Sequence, residues 1–131
     1  MQYLLDTNIC IYFFKGMFNL DKKLLKIGLE NIAISEITYA ELIYGAEKSK
    51  KRETNLAIVE SFTNQIVILP IFDGIKIFAK EKAKLSKKGK IISDFDLLIG
   101  ATAIANKMIM VTRNVSEFSR MANIKIENWA K

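Results

Sequence analysis

A chain of 131 residues with 20 Lys and Arg, 14 Asp and Glu and no histidine carries a net charge of +6. The missing histidine removes Ser-His-Asp and Cys-His nucleophiles, histidine general bases and histidine-ligated zinc, while the lone Cys10 forms no internal disulfide and leaves zinc almost without ligands. Hydrophobic residues make up 50% of the chain, yet no apolar run approaches the ~20 residues of a membrane span and no targeting segment opens it, so it reads as one cytoplasmic domain over 1–131 with no membrane partner.

Gln2 to Leu5 is an apolar strand that ends at Asp6. Helical spacing follows over Asn8 to Lys15 and Leu20 to Leu29, interrupted by Gly16 and Asn19. Ile32 to Ile34 is a second strand, and Ser35 stands as the N-cap of a helix running to about Lys48. The charged turn from Lys48 to Glu53 leads into a helix from about Thr54 to Asn64, then a strand from Ile66 to Leu69 closed by Pro70. A long helix runs from about Gly74 to Lys88 and stops at Gly89, and Ser93 caps another through Asn106. Met108 to Val111 and Ile124 to Glu127 complete the strands. Short apolar strands alternating with helices predict an α/β fold, a parallel sheet covered on both faces, with ligand sites at the carboxyl ends of the strands.

With histidine absent, chemistry falls to carboxylates, lysines and hydroxyls, and carboxylates prefer hard cations such as Mg2+ or Mn2+. Asp6 follows the first strand directly, where it either caps the next helix or faces a ligand. Glu41 sits in EITYAELIYGAE among Ile37, Ala40 and Tyr44, a setting that buries it in part unless it lies on a thin solvent stripe with Glu47 and Lys48. Asp94 and Asp96 open a helix rich in small residues; Ser93 and Asp96 fit a capping box, but two acids in one turn exceed what capping needs. Glu117 follows the strand MIMV and the turn TRNVS, as a solvated side chain or as a fourth acid. Acids from separate elements that meet at one sheet edge need cations or protons to neutralise them.

These stretches carry a resemblance. LLDTNICIYFFK (4–15), ISEITYAELIYGAEKS (34–49), GKIISDFDLLIGATA (89–103), VTRNVSEFSRM (111–121) and IENW (126–129) together resemble PIN-domain ribonucleases, and more narrowly the VapC toxins of bacterial type II toxin–antitoxin pairs. The resemblance implies a PIN-like three-layer sandwich with a five-stranded parallel sheet, Mg2+ or Mn2+ as cofactor, and endonucleolytic RNA cleavage; attack by a metal-bound water would leave 5′-phosphate and 3′-hydroxyl ends. It implies a homodimer silenced by a cognate VapB-like antitoxin, which often threads an arginine into the acidic pocket and supplies the contact with operator DNA. Similar sequences look like cutters of a tRNA anticodon loop, often that of initiator tRNA. Residue by residue, Asp6, Glu41 and Asp96 match the first three acids, Thr7 and Asn8 the polar pair that orients the first, and Thr112 a supporting hydroxyl. Asn114 stands where many relatives carry aspartate, so Glu117 supplies the fourth acid. Ser93-Asp94 replaces a frequent Gly-Pro, which makes Asp94 an extra ligand or a cap.

Lys76, Lys80, Lys84 and Lys87 or Lys88 recur every three to four residues and form either an RNA-binding stripe or a solvated helix face, and KSKKR at 48–52 has the same two readings. Phe13, Phe14, Phe62, Phe72, Phe78 and Phe95 are expected in the core. Two other functions fit the same residues: a PIN nuclease for RNA processing that is not a toxin, and a non-catalytic RNA- or partner-binding module. A phosphoacceptor receiver is disfavoured because no second acid stands beside Asp6.

Overall fold

The computed structural model describes residues 2–131. In chain order the elements are β1 (Tyr3–Leu5), α1 (Thr7–Phe14), α2 (Leu20–Ile27), β2 (Ile32–Ser35), α3 (Glu36–Glu47), α4 (Arg52–Thr63), β3 (Val67–Leu69), α5 (Ile75–Lys87), α6 (Asp94–Ala105), β4 (Ile109–Val111), α7 (Val115–Phe118) and β5 (Lys125–Glu127), with 3-10 turns at Leu29–Asn31 and Phe72–Gly74. The expected helix over Leu20 to Leu29 stops at Ile27, because Gly28 at φ 93° leaves the helical region and turns the chain toward β2. Helix α4 starts two residues earlier than expected, at Arg52.

The strands form one five-stranded sheet in the order β3-β2-β1-β4-β5, all pairs parallel. Alternate residues of each strand face opposite sides. Leu5, Ile34 and Val111 enter one core with Ile9, Leu24, Leu42 and Phe62, from α1 to α4. Leu4, Ala33 and Met110 enter the other with Leu85, Leu97, Ile99 and Phe118, from α5 to α7. The chain starts in the centre, steps outward through β2 to β3, then returns to the other side of β1 for β4 and β5. With right-handed crossovers this reversal also changes the face that the helices cover, so helices coat both faces. The reversal leaves a crevice at the carboxyl ends of β1 and β4, the topological switch point.

Close approach of α6 to the end of α7 depends on Gly100, where a Cβ would stand 2.5 Å from Met121 Sδ and 3.2 Å from Phe118 Cδ1. Two phenylalanines expected inside are outside: Phe72 is 77% and Phe95 52% exposed, because one lies in the turn before α5 and the other on the outer side of the first turn of α6. Phe62 is buried, and Phe13, Phe14 and Phe78 pack against the two cores. No helix among the described residues is long and apolar enough to cross a membrane.

Candidate active site

Asp6 leaves β1 at the switch point, and its backbone N–H donates to Val111 O at 2.8 Å, tying it to the end of β4. Its side chain both caps and faces the crevice. Oδ1 accepts from the Thr7 N–H at 2.9 Å, the N-cap of α1, and Oδ2 accepts from Thr112 Oγ1 at 2.7 Å. Thr112 Oγ1 in turn accepts from the Asn114 N–H at 2.9 Å, which leaves the hydroxyl proton for Asp6. The carboxylate is only 3% exposed. Burial lifts it to about 6, hydrogen bonds from Thr112 and Thr7 oppose the rise, and the charges of Asp96 and Glu41 add to it.

A second relay serves Glu41, which is half-buried on α3. Thr7 Oγ1 donates to Glu41 Oε1 at 2.6 Å, and Thr38 Oγ1 lies 3.1 Å from Thr7 Oγ1. Thr7 has one hydroxyl proton and gives it to Glu41, so the proton between the two threonines is Thr38's. Asp96 lies in the first turn of α6, whose N-cap Ser93 accepts from the Asp96 N–H at 3.2 Å. Burial raises Asp96, the Ser93 hydroxyl opposes this, and the charges of Glu117 and Glu41 push further upward. Glu117, half-buried on α7, thereby joins the group. Four carboxylates from four elements act on one another electrostatically at the switch point.

Among the described residues no basic side chain forms an ion pair with them. The three ion pairs among the described residues, Arg52–Glu47, Lys82–Asp94 and Lys84–Glu81, all lie elsewhere. Among the described residues no three acidic side chains form a ready-made metal cage. The donor set nevertheless fits Mg2+ or Mn2+: it offers only hard oxygens, it is negative and partly desolvated, and Mg2+ keeps several waters while taking one or two carboxylates directly.

The family model of the PIN domain matches residues 3–124. The chain belongs to the PIN-domain family, in its VapC branch. It is 40% identical to Ribonuclease VapC2 of Rickettsia felis over 134 residues, covering all of both chains. It is 35% identical over 130 residues to a tRNA(fMet)-specific endonuclease VapC of Salmonella typhimurium, covering 98% of each. The crystal structure of DNA-bound VapBC from Salmonella typhimurium superposes with a TM-score of 0.91 at 34% identity, covering 98% of each chain. The PIN-like fold read from the motifs is the fold observed.

Within this VapC fold the remaining expected site residues divide. Asp94 turns away from the acids and pairs with Lys82 of α5 at 2.8 Å, in the open. Asn114 acts through its backbone N–H, its side chain making no capping bond. Asn8 does not hydrogen-bond Asp6, and its Oδ1 is buried without a partner. Tyr44, placed with Glu41 on a partly buried face, is 65% exposed. Of the α5 lysines, Lys84 is clasped by Glu81 at 2.9 Å, so the stripe of Lys80, Lys84 and Lys87 loses one free charge. Glu81 is itself buried; burial works against its charge, but Lys84 and the Ala122 N–H outweigh this and hold it below the ordinary value, fastening α5 to the segment after α7. Burial and the Asp6 charge push the Cys10 thiol up, so it stays protonated and unreactive.

Thr38 escaped the sequence reading, although a threonine three residues before Glu41 in an apolar helix is a visible signal. It is fully buried. Thr38→Val, nearly isosteric, removes the donor that fixes Thr7 and is expected to lower cleavage about 10-fold and stability by about 1 kcal/mol. Thr38→Ser should restore most of both in side-by-side rate and melting measurements; equal loss in the two variants would assign Thr38 to packing alone.

Proposed function

We propose that this chain is a Mg2+- or Mn2+-dependent endoribonuclease, the toxin of a toxin–antitoxin pair, and that its substrate is tRNA, initiator tRNA foremost. The observation that carries the reading is the group of four carboxylates that repel one another at the switch point, none of them in an ion pair among the described residues. The names of its relatives, ribonuclease and tRNA(fMet)-specific endonuclease, support the substrate class. Asp6, Glu41 and Asp96, together with Glu117, would hold the cation. A bound divalent ion lowers the pKa of water and stabilises charge developing on a phosphodiester. The residues of the chain itself do the positioning: Thr112 and Thr7 each give a proton to a carboxylate and keep those oxygens aimed into the crevice. The ribose 2′-hydroxyl takes no part in such a hydrolysis, so products carry 5′-phosphate and 3′-hydroxyl ends. Preference for RNA then comes from recognition of a splayed loop.

The reading includes the partners. A groove of about 320 Å3 runs between α1, α3 and α4, lined by Ile11, Phe14, Leu42, Ala46 and Ile58, with Glu41 at its margin. An antitoxin of VapB type would lay an apolar helix there and bring a cationic side chain to the acids. The chain would pair as a homodimer, and operator DNA would be contacted through the antitoxin.

Sequencing of RNA 5′ ends after brief expression tests the substrate. New ends in the initiator tRNA anticodon loop are expected with the wild-type chain and none with Asp6→Asn. Ends at RNA-processing sites without growth arrest would favour a processing nuclease, and identical ends in both strains would exclude catalysis.

A further inference from the structure

Thr112, the residue that orients Asp6, is followed by a basic residue whose contacts lead out of the crevice. Arg113 Nη1 donates to Tyr12 Oη at 3.0 Å, with its guanidinium 5.7 Å from the Tyr12 ring. Tyr12 meets Phe18 edge-on at 5.2 Å. Phe18 lines a second groove, of about 380 Å3, between α2 and the C-terminal segment, walled by Lys22, Lys23, Lys26, Trp129 and Lys131. All four lysines are exposed, and none has a carboxylate partner among the described residues. Lys23 lies over the Trp129 ring at 5.3 Å, which holds one ammonium in the groove. The acids close by are Asp21, exposed on α2, and Glu127, which accepts the Trp129 indole N–H at 2.9 Å. The backbone at the groove is unusual: Phe18 and Asn19 have φ of 58° and 54°, a left-handed conformation that a bulky residue rarely adopts and that here seats Phe18 between Tyr12 and the lysines.

We infer that this groove is the track along which the RNA backbone runs beyond the scissile bond, with the phosphates on Lys22, Lys23, Lys26 and Lys131 and the entry at Arg113; the inference rests on the ribonuclease reading above. The charge argument separates it from α5, where Lys84 is taken by Glu81 and Lys82 by Asp94. Each lysine that neutralises a phosphate releases counterions and steepens the salt dependence of binding.

The test uses the full chain carrying Asp6→Asn and a synthetic RNA stem–loop as probe, titrated over a range of salt. Replacing the four lysines together by glutamine is expected to weaken binding on the order of 10³-fold near 0.1 M salt and to reduce the slope of log affinity against log salt by about 3. Replacing Lys76, Lys80 and Lys87 on α5 should reduce the slope less, and unchanged thermal melts would confirm that the variants fold. An unchanged slope in the groove variant, a larger loss in the α5 variant, or weakened antitoxin binding with RNA binding intact would each overturn the track. A wild-type chain that binds the stem–loop through these lysines but never cuts it would instead overturn the ribonuclease reading.

Discussion

Asp6→Asn is expected to abolish RNA cleavage, by on the order of 10³-fold or more, while making the metal-free fold more stable at pH 7. The loss of activity follows from removing the most buried of the four acids, the one that touches both β1 and β4. The gain in stability follows from its proton affinity. Asp6 is held at about 6 in the folded chain against an ordinary 3.8, so between these values the folded state keeps a proton that the unfolded state has lost. Stability therefore falls as pH rises from about 4 to 6, by on the order of 3 kcal/mol in all, and stays low above that window. Asparagine carries no charge but leaves one of the two donors at this position unpaired, at a cost of about 1 kcal/mol. The net gain at pH 7 is about 1–2 kcal/mol, and below pH 4 the variant should be no more stable than the wild type. Urea melts at several pH values measure this; a variant less stable than the wild type at pH 7 would show that Asp6 is held for the fold.

Phe118→Ala should have the largest effect on stability, about 3–5 kcal/mol, a large part of what holds a domain of this size. Phe118 is fully buried between α6 and the sheet and belongs to the core cluster of Leu97, Ile99 and Met121. It also closes the short helix that carries Glu117, so the cavity would free that acid from Asp96. Phe118→Leu keeps most of the volume and should fold with reduced cleavage. A denaturation midpoint within error of the wild type for Phe118→Ala would contradict the packing described.

Much of this was legible because the physics is local. Continuous apolar triplets such as Tyr3–Leu5 and Ile109–Val111 can only be strands buried on both faces, and Ser35 and Ser93 mark helix starts by capping chemistry. Asp6 looked either like a cap or like a site residue, and it is in fact both a cap and a member of the acid group. The relay from Thr38 through Thr7 to Glu41 was not legible, because it joins α1 to α3 across 31 positions of sequence. Asp94 could not be assigned from its own helix either, since Lys82, its partner, comes from α5. Phe72 and Phe95 misled because hydrophobicity alone does not say which side of a short turn faces water. The basic groove joins α2 to the chain end, two segments whose lysines are unremarkable until the fold brings them together.

The central claim is that these acids hold a divalent cation through Asp6. The melting temperatures of the wild-type chain and of Asp6→Asn, each with EDTA and with Mn2+ at pH 7, test it without any assumption about the RNA. The wild type should melt several degrees lower than the variant in EDTA and rise with Mn2+, while the variant stays where it was. Equal Mn2+ shifts in the two proteins, or no shift in the wild type, would contradict the claim.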